Sequence, residues 1–279
     1  MPAAFRMLPS IIKRSTIMSD GNSKNKADSL KAELNAGSHI GHVIGIISGK
    51  GGVGKSFVTG SLANMMAAKG YKVGIMDADI TGPSIARMYG VKGPATGVEG
   101  AINPLVSRNG IKIMSINLLL PTEDTPVIWR GPILAGMVKQ FWTDVAWGDL
   151  DYLFVDMPPG TGDVPLTVFQ SLPIDGAIIV TSPQDLVKMI VMKAYKMARM
   201  MKVQVLGVVE NYSCLICPDC GKKISVFGES HISEIIDEIG VPLLGQVPID
   251  HTFAEKADAG HFEEVVNSYI ASAETVLPG

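Results

Sequence analysis

Residues 49–56 read GKGGVGKS, and they directly follow the apolar run HVIGIIS at residues 42–48. The eight residues match the pattern G-x-x-x-x-G-K-[ST], which cradles phosphate when it joins a strand to a helix. Its glycines let backbone N–H groups point at phosphate oxygens, and the N-terminus of the following helix adds its dipole. The stretch SFVTGSLANMMAAKG at residues 56–70 is predicted to form this helix. The sequence therefore predicts a nucleotide-binding loop in an α/β fold.

The apolar runs along the chain are continuous rather than alternating, as in a sheet that is covered on both faces. They alternate with helical stretches, which is typical of parallel βαβ units. Strands are predicted at 42–48, 72–79, 111–116, 152–157, 176–181, 203–210 and 241–246. Helices are predicted at 56–70, 132–147, 164–171, 183–201, 231–239 and 252–275. We expect a single doubly wound, mainly parallel sheet of about seven or eight strands with helices on both faces.

The loop contains two lysines. Lys55 is expected to reach the β- and γ-phosphates of a nucleotide, and Ser56 is expected to ligate Mg²⁺. Lys50 follows the first glycine, and by itself it is typical of a solvated loop residue. The predicted nucleotide-binding residues of the loop are Gly49, Lys50, Gly51, Gly52, Val53, Gly54, Lys55 and Ser56.

Two later segments place carboxylates at the ends of predicted strands. IMDADITGPS at residues 75–84 contains Asp77 and Asp79, which share a face if the strand continues. Asp77 is also suited to capping a helix or a loop. The strand DYLFVD ends in Asp156, where a carboxylate beside the phosphate loop can hold Mg²⁺ directly or through water.

The segment VVENYS at residues 208–213 ends a predicted strand with Asn211. An asparagine side chain offers both a donor and an acceptor, which suits the edge of an adenine ring. An asparagine at the end of a strand is more often a turn residue, so this feature alone is unspecific.

The three cysteines of the chain are clustered in NYSCLICPDCGKK, at Cys214, Cys217 and Cys220. Pro218 and Gly221 favour a tight knuckle whose N–H groups can bond to sulfur. A C-x-x-C pair of this kind suits half of a tetrahedral zinc site, and spacing alone favours zinc over an iron–sulfur cluster. The clustering fits a reducing compartment, where thiols persist or bind metal.

Composition excludes some classes of function. The net charge is −3 and there is no long basic run, so sequence-independent binding to nucleic acid is not expected. No apolar run reaches about 18 residues, so we expect no membrane-spanning helix.

We expect a flexible extension at residues 1–38, then a P-loop ATPase domain at 39–279 that contains a metal-binding knuckle at 214–223. Residues 1–19 carry three cations and no acid, as a transit peptide can. We favour an upstream in-frame extension with Met18 as the working start, and hence a cytoplasmic protein. If residues 1–17 are a transit peptide, the protein is imported into an organelle.

The stretch KGGVGKS resembles the deviant Walker A motif of the MinD/ParA/nitrogenase-iron-protein class of P-loop ATPases. The resemblance implies that Lys50 reaches across a dimer interface to the nucleotide of the other subunit. It also implies that Asp79 lies in a switch loop and orients or activates the attacking water. Asn211 would contact the base of the bound ATP.

The order of GKGGVGKS, DADITGPS, DMPPGTGD and VVENYS followed by CPDCG resembles the Mrp/ApbC family of iron–sulfur cluster carrier ATPases, over about residues 40–275. The resemblance implies a homodimer in which Cys217 and Cys220 of each subunit jointly hold a 4Fe–4S cluster. It further implies cluster donor proteins and client apoproteins as partners, and slow ATP hydrolysis. Cys214 departs from the family pattern and is expected to be a buried structural cysteine, with an alternative ligand or a reactive thiol as the other interpretations. Three thiolates in one chain would hold a 4Fe–4S cluster with one open iron, so a monomeric site stays an alternative.

The alternative hypothesis is a MinD/ParA-type positioning ATPase with a structural Zn²⁺ knuckle. The slightly acidic charge counts against it, and so does the C-terminal segment HFEEVVNSYIASAETVLPG, which has no Lys or Arg for a membrane-binding amphipathic helix. We therefore expect partners that are proteins, and neither nucleic acid nor membrane.

Overall fold

A computed structural model of the chain describes residues 32–80, 82–98, 100–120, 131–183 and 187–278. The predictions of a transit peptide or an upstream extension, and of Met18 as the start, concern residues outside these ranges.

The described residues form strands and helices in alternation over most of the chain. The strands are β1 (His39–Ile47), β2 (Val73–Asp77), β3 (Gly97–Val98), β4 (Ala101–Ile102), β5 (Leu105–Val106), β6 (Lys112–Met114), β7 (Asp149–Asp156), β8 (Gly176–Thr181), β9 (Gln204–Ile216), β10 (Lys223–Ile224) and β11 (Leu243–Ile249). The α-helices are α1 (Lys55–Ala68), α2 (Ile85–Met88), α3 (Gly131–Thr143), α4 (Asp163–Ser171), α5 (Val187–Met200), α6 (Ile232–Ile239) and α7 (His251–Asp258).

Nine of these strands form one sheet in the order β10-β9-β8-β1-β7-β2-β6-β5, with β11 also paired to β9. The pairs of β1 with β7 and β8, of β2 with β6 and β7, and of β9 with β8 and β11 are parallel. The pairs β5–β6 and β9–β10 are antiparallel. The predicted fold class and all seven predicted strands are confirmed. The sheet is wider than expected because two-residue edge strands such as β5 and β10 carry no periodic pattern.

The central strands are largely buried, as their continuous apolar sequences predict. Every residue of β2 and of β8 is buried, and so are the last five residues of β1 and of β7. Burial of each large aliphatic side chain contributes about 1.5–3 kcal/mol, so this core fixes the relative positions of the strand ends. Both β1 and β7 end at the same edge of the sheet, where the phosphate loop begins.

The predicted helix over 252–275 is wrong. The chain forms α7 and then two 3-10 segments, Phe262–Glu264 and Ser268–Val276. Gly260 lies between them with φ 72°, and a Cβ there would lie 2.7 Å from the Cα of Gly90. The backbone contact requires glycine in a left-handed conformation, which ends the helix.

The predicted helix over 132–147 also ends early, at Thr143. The next residues pair with β4 instead: the N–H of Ile102 donates to the carbonyl of Asp144 at 2.7 Å, and Ile102 forms a bridge with Val145. Tertiary pairing therefore replaces the last turn of this helix.

Among the helices in the described ranges, none has the length and the apolar character of a membrane span.

Candidate nucleotide site and cysteine knuckle

The phosphate loop joins β1 to α1, as predicted. Gly52 and Gly54 adopt left-handed conformations, with φ 77° and 79°, and Gly54 is the N-cap of α1. Side chains with a Cβ are strained in this region, whereas glycine adopts it readily. The turn aims the start of α1, and hence its partial positive charge, at the edge where the strands end.

Two glycines of the loop are in close contact with neighbouring elements. A Cβ on Gly49 would lie 2.5 Å from the carbonyl oxygen of Ile190 in α5. A Cβ on Gly54 would lie 2.0 Å from Nδ2 of Asn211 in β9. Larger residues at either position would push away α5 or β9, so the loop is fixed between them.

Lys55, at the start of α1, pairs with Asp156, the last residue of β7. The two charged atoms are 2.7 Å apart, and the side chains are 6% and 1% exposed. Burial by itself would lower the pKa of Lys55, but the attraction and hydrogen bond of Asp156 outweigh it, so the pKa lies above its ordinary value. Lys55 therefore remains a cation in a site that is almost closed to water.

The other oxygen of Asp156 faces the predicted magnesium ligand of the loop. The hydroxyl of Ser56 donates to Oδ2 of Asp156 at 2.5 Å, and the hydroxyl of Thr59 lies 3.1 Å from Oδ1. A hydroxyl and a carboxylate at this separation suit Mg²⁺, which prefers a few oxygen ligands and completes its shell with water and phosphate. No cluster of three or more His, Cys, Asp or Glu side chains within the described ranges could hold a metal by itself.

The structure assigns different roles to the two aspartates at the end of β2. Asp77 is fully buried and acts as a loop cap, since it accepts backbone N–H groups of Asp79, Ser84 and Ile85 at 3.2–3.3 Å. Burial raises the pKa of Asp77 to about 8, with a further increase from Asp156 and a decrease from Lys55. The capping interpretation of Asp77 therefore describes this structure.

Asp79 points toward the phosphate loop. Its Oδ2 lies 3.8 Å from Nζ of Lys55, and its side chain is 14% exposed. Lys55, Asp79 and Asp156 thus form one group of charges, although they come from three separate segments. This is the arrangement expected of residues that surround a nucleotide phosphate.

Asn211 contacts the phosphate loop directly. Its Nδ2 donates to the backbone carbonyl of Val53 at 3.0 Å, and the side chain is buried. This hydrogen bond uses one of the two amide hydrogens of Asn211. The other hydrogen and the amide oxygen are the groups that would bind a base, and this contact stays a prediction.

The cysteines lie where β9 runs past the sheet and turns back into β10. Gly221, with φ 70°, donates its N–H to the carbonyl of Cys217 at 2.9 Å, which closes the predicted knuckle. Hydrogen bonds from the backbone of Cys220 and Asp219, with a contribution from the Cys220 side chain, lower the pKa of Cys217. Cys220 is exposed, whereas Cys214 and Cys217 are half-buried. The knuckle thus favours a thiolate close to solvent.

Two further residues at this site, Glu210 and Tyr212, have no distinguishing pattern in the sequence. Glu210 is fully buried and accepts hydrogen bonds from the Ser230 hydroxyl and from Nε2 of Gln246, both at 2.6 Å. Tyr212 has φ 59°, which is unusual for a residue other than glycine. Only the tertiary contacts distinguish them from ordinary strand residues.

Comparison with known proteins agrees with this geometry. Residues 39–276 match the family model of the ParA type described as "NUBPL iron-transfer P-loop NTPase". The chain belongs to this family. The predicted relationship with iron–sulfur cluster carrier ATPases is confirmed, and nucleotide hydrolysis is the activity of the class.

Several curated relatives carry the name iron-sulfur cluster carrier protein. The relative from Saccharolobus solfataricus is 48% identical over 86% of this chain and 81% of its own length. The one from Methanocaldococcus jannaschii is 50% identical over 80% of this chain and 78% of its own length.

Solved structures share the fold. A nucleotide-binding protein from Archaeoglobus fulgidus, in complex with ADP, has a TM-score of 0.73 and 44% identity, and the match covers 81% of this chain and 88% of that one. The cell division ATPase MinD from Pyrococcus furiosus has a TM-score of 0.56 and 21% identity, over 85% and 98% of the two chains. The second likeness concerns the fold alone.

Proposed function

We propose that the protein is an ATP-hydrolysing carrier that binds a 4Fe–4S cluster at a homodimer interface and transfers it to apoproteins. The observation that carries the proposal is the course of β9. One strand holds Asn211 against the phosphate loop and then leads directly to the knuckle with Cys217 and Cys220. The names of the relatives support cluster transport as the purpose of the thiols.

On the nucleotide side, Lys55 and the N–H groups of residues 49–56 hold the phosphates of ATP. Ser56 and Asp156 are the ligands for Mg²⁺, which neutralises phosphate charge when it is bound. Asp79 orients the attacking water, and Asn211 contacts the adenine. Support comes from the short distances among Lys55, Ser56 and Asp156 and from the ADP complex of the Archaeoglobus fulgidus relative.

Lys50 completes the site of the other subunit. A cation that arrives with a partner stabilises charge on the transferring phosphoryl group only when the dimer has formed. Hydrolysis is then slow in a single chain and depends on assembly.

The number of cysteines in each C-x-x-C pair supports the proposal of a homodimer. Cys217 and Cys220 supply two thiolates, whereas a 4Fe–4S cluster takes four, and a twofold axis doubles the set. The lowered pKa of Cys217 favours the thiolate that binds iron, and the exposure of Cys220 lets the cargo leave. Client apoproteins and cluster donors would approach this exposed knuckle. We place the protein in the cytoplasm, without nucleic acid or membrane as partners.

Anaerobic reconstitution with iron and sulfide tests the proposal. We expect a brown dimer with the absorption of a 4Fe–4S cluster, which is lost in Cys217→Ala and in Cys220→Ala. Cys214→Ala is the matched control, because this half-buried thiol lies outside the C-x-x-C pair, and it should keep the cluster. Unchanged cluster binding in both knuckle variants would rule out the proposed site. Loss of the cluster in Cys214→Ala would replace the dimeric site by one with three thiolates from a single chain.

A further inference from the structure

The segment that carries the cysteines is fixed to the sheet at its two ends by one buried carboxylate. Glu210 precedes the segment, and Ser230, whose hydroxyl donates to Glu210 at 2.6 Å, follows it. Gln246 of β11 donates to the second oxygen of the same carboxylate at 2.6 Å. Because Glu210 is fully buried, this clamp holds residues 210 and 230 in place, while the intervening chain continues along the end of β9 and returns through the knuckle and β10.

Just beyond the clamp, β9 contains an irregularity. Asn211 pairs with Val247 and Leu215 pairs with Ile249, so four steps along β9 oppose two steps along β11. Bulges of this kind redirect the chain and are frequent next to active sites. Tyr212 lies in the bulge with φ 59°, a conformation that costs a tyrosine free energy and persists only where its surroundings hold it.

The phosphate loop supplies those surroundings. A Cβ on Gly54 would lie 3.2 Å from the hydroxyl of Tyr212 and 2.0 Å from Nδ2 of Asn211. Asn211 also donates to the carbonyl of Val53. The residue with the unusual conformation therefore rests on Gly54, at the N-cap of α1, where the phosphates of a nucleotide are proposed to bind.

A glycine with positive φ lies on the other side of the knuckle, where the chain returns to the clamp. Gly228 adopts φ 88°, and a Cβ there would meet nothing within 4 Å. Between Tyr212 and Gly228 lies a segment that we call the cysteine hairpin, residues 213–227, which includes β10 and the knuckle. Its outer apolar side chains are exposed rather than packed on the sheet: Leu215, Ile216, Ile224, Val226 and Phe227.

We propose that the cysteine hairpin turns as a unit on Tyr212 and Gly228, giving up the pair of Leu215 with Ile249 at the end of β11, and that the phosphate loop sets its position through Tyr212. The inference rests on the proposed function, to which it adds the hinge residue. Reorganisation of Val53 and Gly54 by a nucleotide changes the contacts that hold Tyr212 in its left-handed conformation. Relaxation of Tyr212 then moves Cys217 and Cys220 relative to the fixed residues Glu210 and Ser230.

The test measures how fast a maleimide alkylates Cys217 and Cys220 in the full chain, reduced and free of metal, with Cys214 replaced by alanine. Rates are compared without nucleotide and with saturating Mg-ADP, at a concentration where light scattering gives the same mass in both states. In this background we expect Mg-ADP to change the rates by about threefold or more. In Tyr212→Gly the rates with and without Mg-ADP should agree, because glycine adopts either sign of φ and lacks the ring.

Lys202→Gly is the matched control. Lys202, with φ 58°, is the other residue besides glycine with positive φ in the described part of the chain, and it follows α5 away from the hairpin. This variant should keep the full response. If Tyr212→Gly does not fold, Tyr212→Asn serves instead, since asparagine tolerates the left-handed conformation but lacks the ring, and its response should also be lost.

A Tyr212 variant that responds to Mg-ADP like its background overturns the hinge. So does a background chain that binds Mg-ADP and reconstitutes a cluster but shows no change in alkylation, although the proposed function then stands. A background chain that binds neither nucleotide nor cluster overturns the proposed function, and the hinge with it.

Discussion

Nζ of Lys55 lies 2.7 Å from Oδ1 of Asp156, and both side chains are almost completely buried. The two residues are far apart in the sequence, and they meet because β1 and β7 are neighbours that end at the same edge of the sheet. The carboxylate of Asp156 neutralises the lysine. A nucleotide phosphate that binds at this loop would share Lys55 with Asp156, so the pair couples the carboxylate of β7 to the phosphate site.

Asp156→Asn should reduce nucleotide hydrolysis by about a hundredfold or more, because it removes a charged ligand from the Mg²⁺ site. It should also lower the free energy of unfolding by about 3 kcal/mol, since the buried Lys55 loses its nearer carboxylate and keeps only Asp79, at 3.8 Å. Phosphate release and chemical denaturation measure the two effects. Asp149→Asn is the control, at the exposed start of the same strand, and it should change neither quantity. Hydrolysis at the unmodified rate in Asp156→Asn would contradict the assigned site.

Lys50→Ala should reduce hydrolysis by about a hundredfold while nucleotide still binds, if this lysine acts on the neighbouring subunit. Lys55→Ala should also be inactive, because it lacks the phosphate ligand of its own loop. A mixture of the two variants should regain activity, since a mixed dimer contains one complete site with Lys55 from one chain and Lys50 from the other. An inactive mixture, with mixed dimers shown by mass spectrometry, would contradict action in trans.

The raised pKa of the buried Asp77 implies that the stability of the protein depends on pH. Its pKa is about 8 in the folded chain and near 3.8 in the unfolded chain, so between these values the folded state binds the extra proton. The stabilisation from this group is therefore complete below about pH 4 and is lost as pH rises toward 8, by up to about 1.4 kcal/mol per pH unit.

Asp77→Asn removes this titration. The free energy of unfolding of the variant should fall less steeply between pH 5 and pH 8 than that of the unmodified chain, as measured by urea denaturation. Parallel pH profiles for the two proteins would show that Asp77 ionises normally. The variant should be less stable at pH 5, since an amide cannot accept all the backbone N–H groups that the carboxyl accepts now.

Asn211→Ala should weaken ADP binding by about tenfold, because the hydrogen bond to Val53 that fixes the loop is lost. If Asn211 also contacts the base, the preference for ADP over GDP should decrease in the variant. Calorimetry with both nucleotides separates these effects. Asn109→Ala, in the turn between β5 and β6, is the control and should leave both affinities unchanged. Unaltered ADP binding in Asn211→Ala would exclude a role of this contact in holding the loop.

The sequence was sufficient for the fold and for the centre of the site because both depend on local patterns. Continuous apolar runs identify buried strands, and GKGGVGKS at 49–56 fixes the strand-to-helix turn. Since parallel strands bring their carboxyl ends together, the strand pattern predicts Asp156 beside the phosphate loop, whereas the role of Asp79 at the nucleotide is implied only by the family resemblance.

Other features depend on contacts between distant segments, which no local pattern encodes. Nothing in the local sequence distinguishes the role of Asp77 from that of Asp79. Only the hydrogen bonds from the backbone amides of Ser84 and Ile85 identify Asp77 as the cap. The helix predicted over 252–275 is broken where Gly260 meets Gly90. The positive φ of Tyr212, whose hydroxyl lies against Gly54 of the phosphate loop, likewise has no signature in the local sequence.

Metal analysis of protein purified without air shows directly whether the knuckle carries an iron–sulfur cluster. We expect iron and acid-labile sulfide in equal amounts, approaching one 4Fe–4S cluster for each pair of chains, and their loss in Cys217→Ala and Cys220→Ala. Stoichiometric zinc without sulfide would contradict this expectation, and would make the knuckle a structural zinc site.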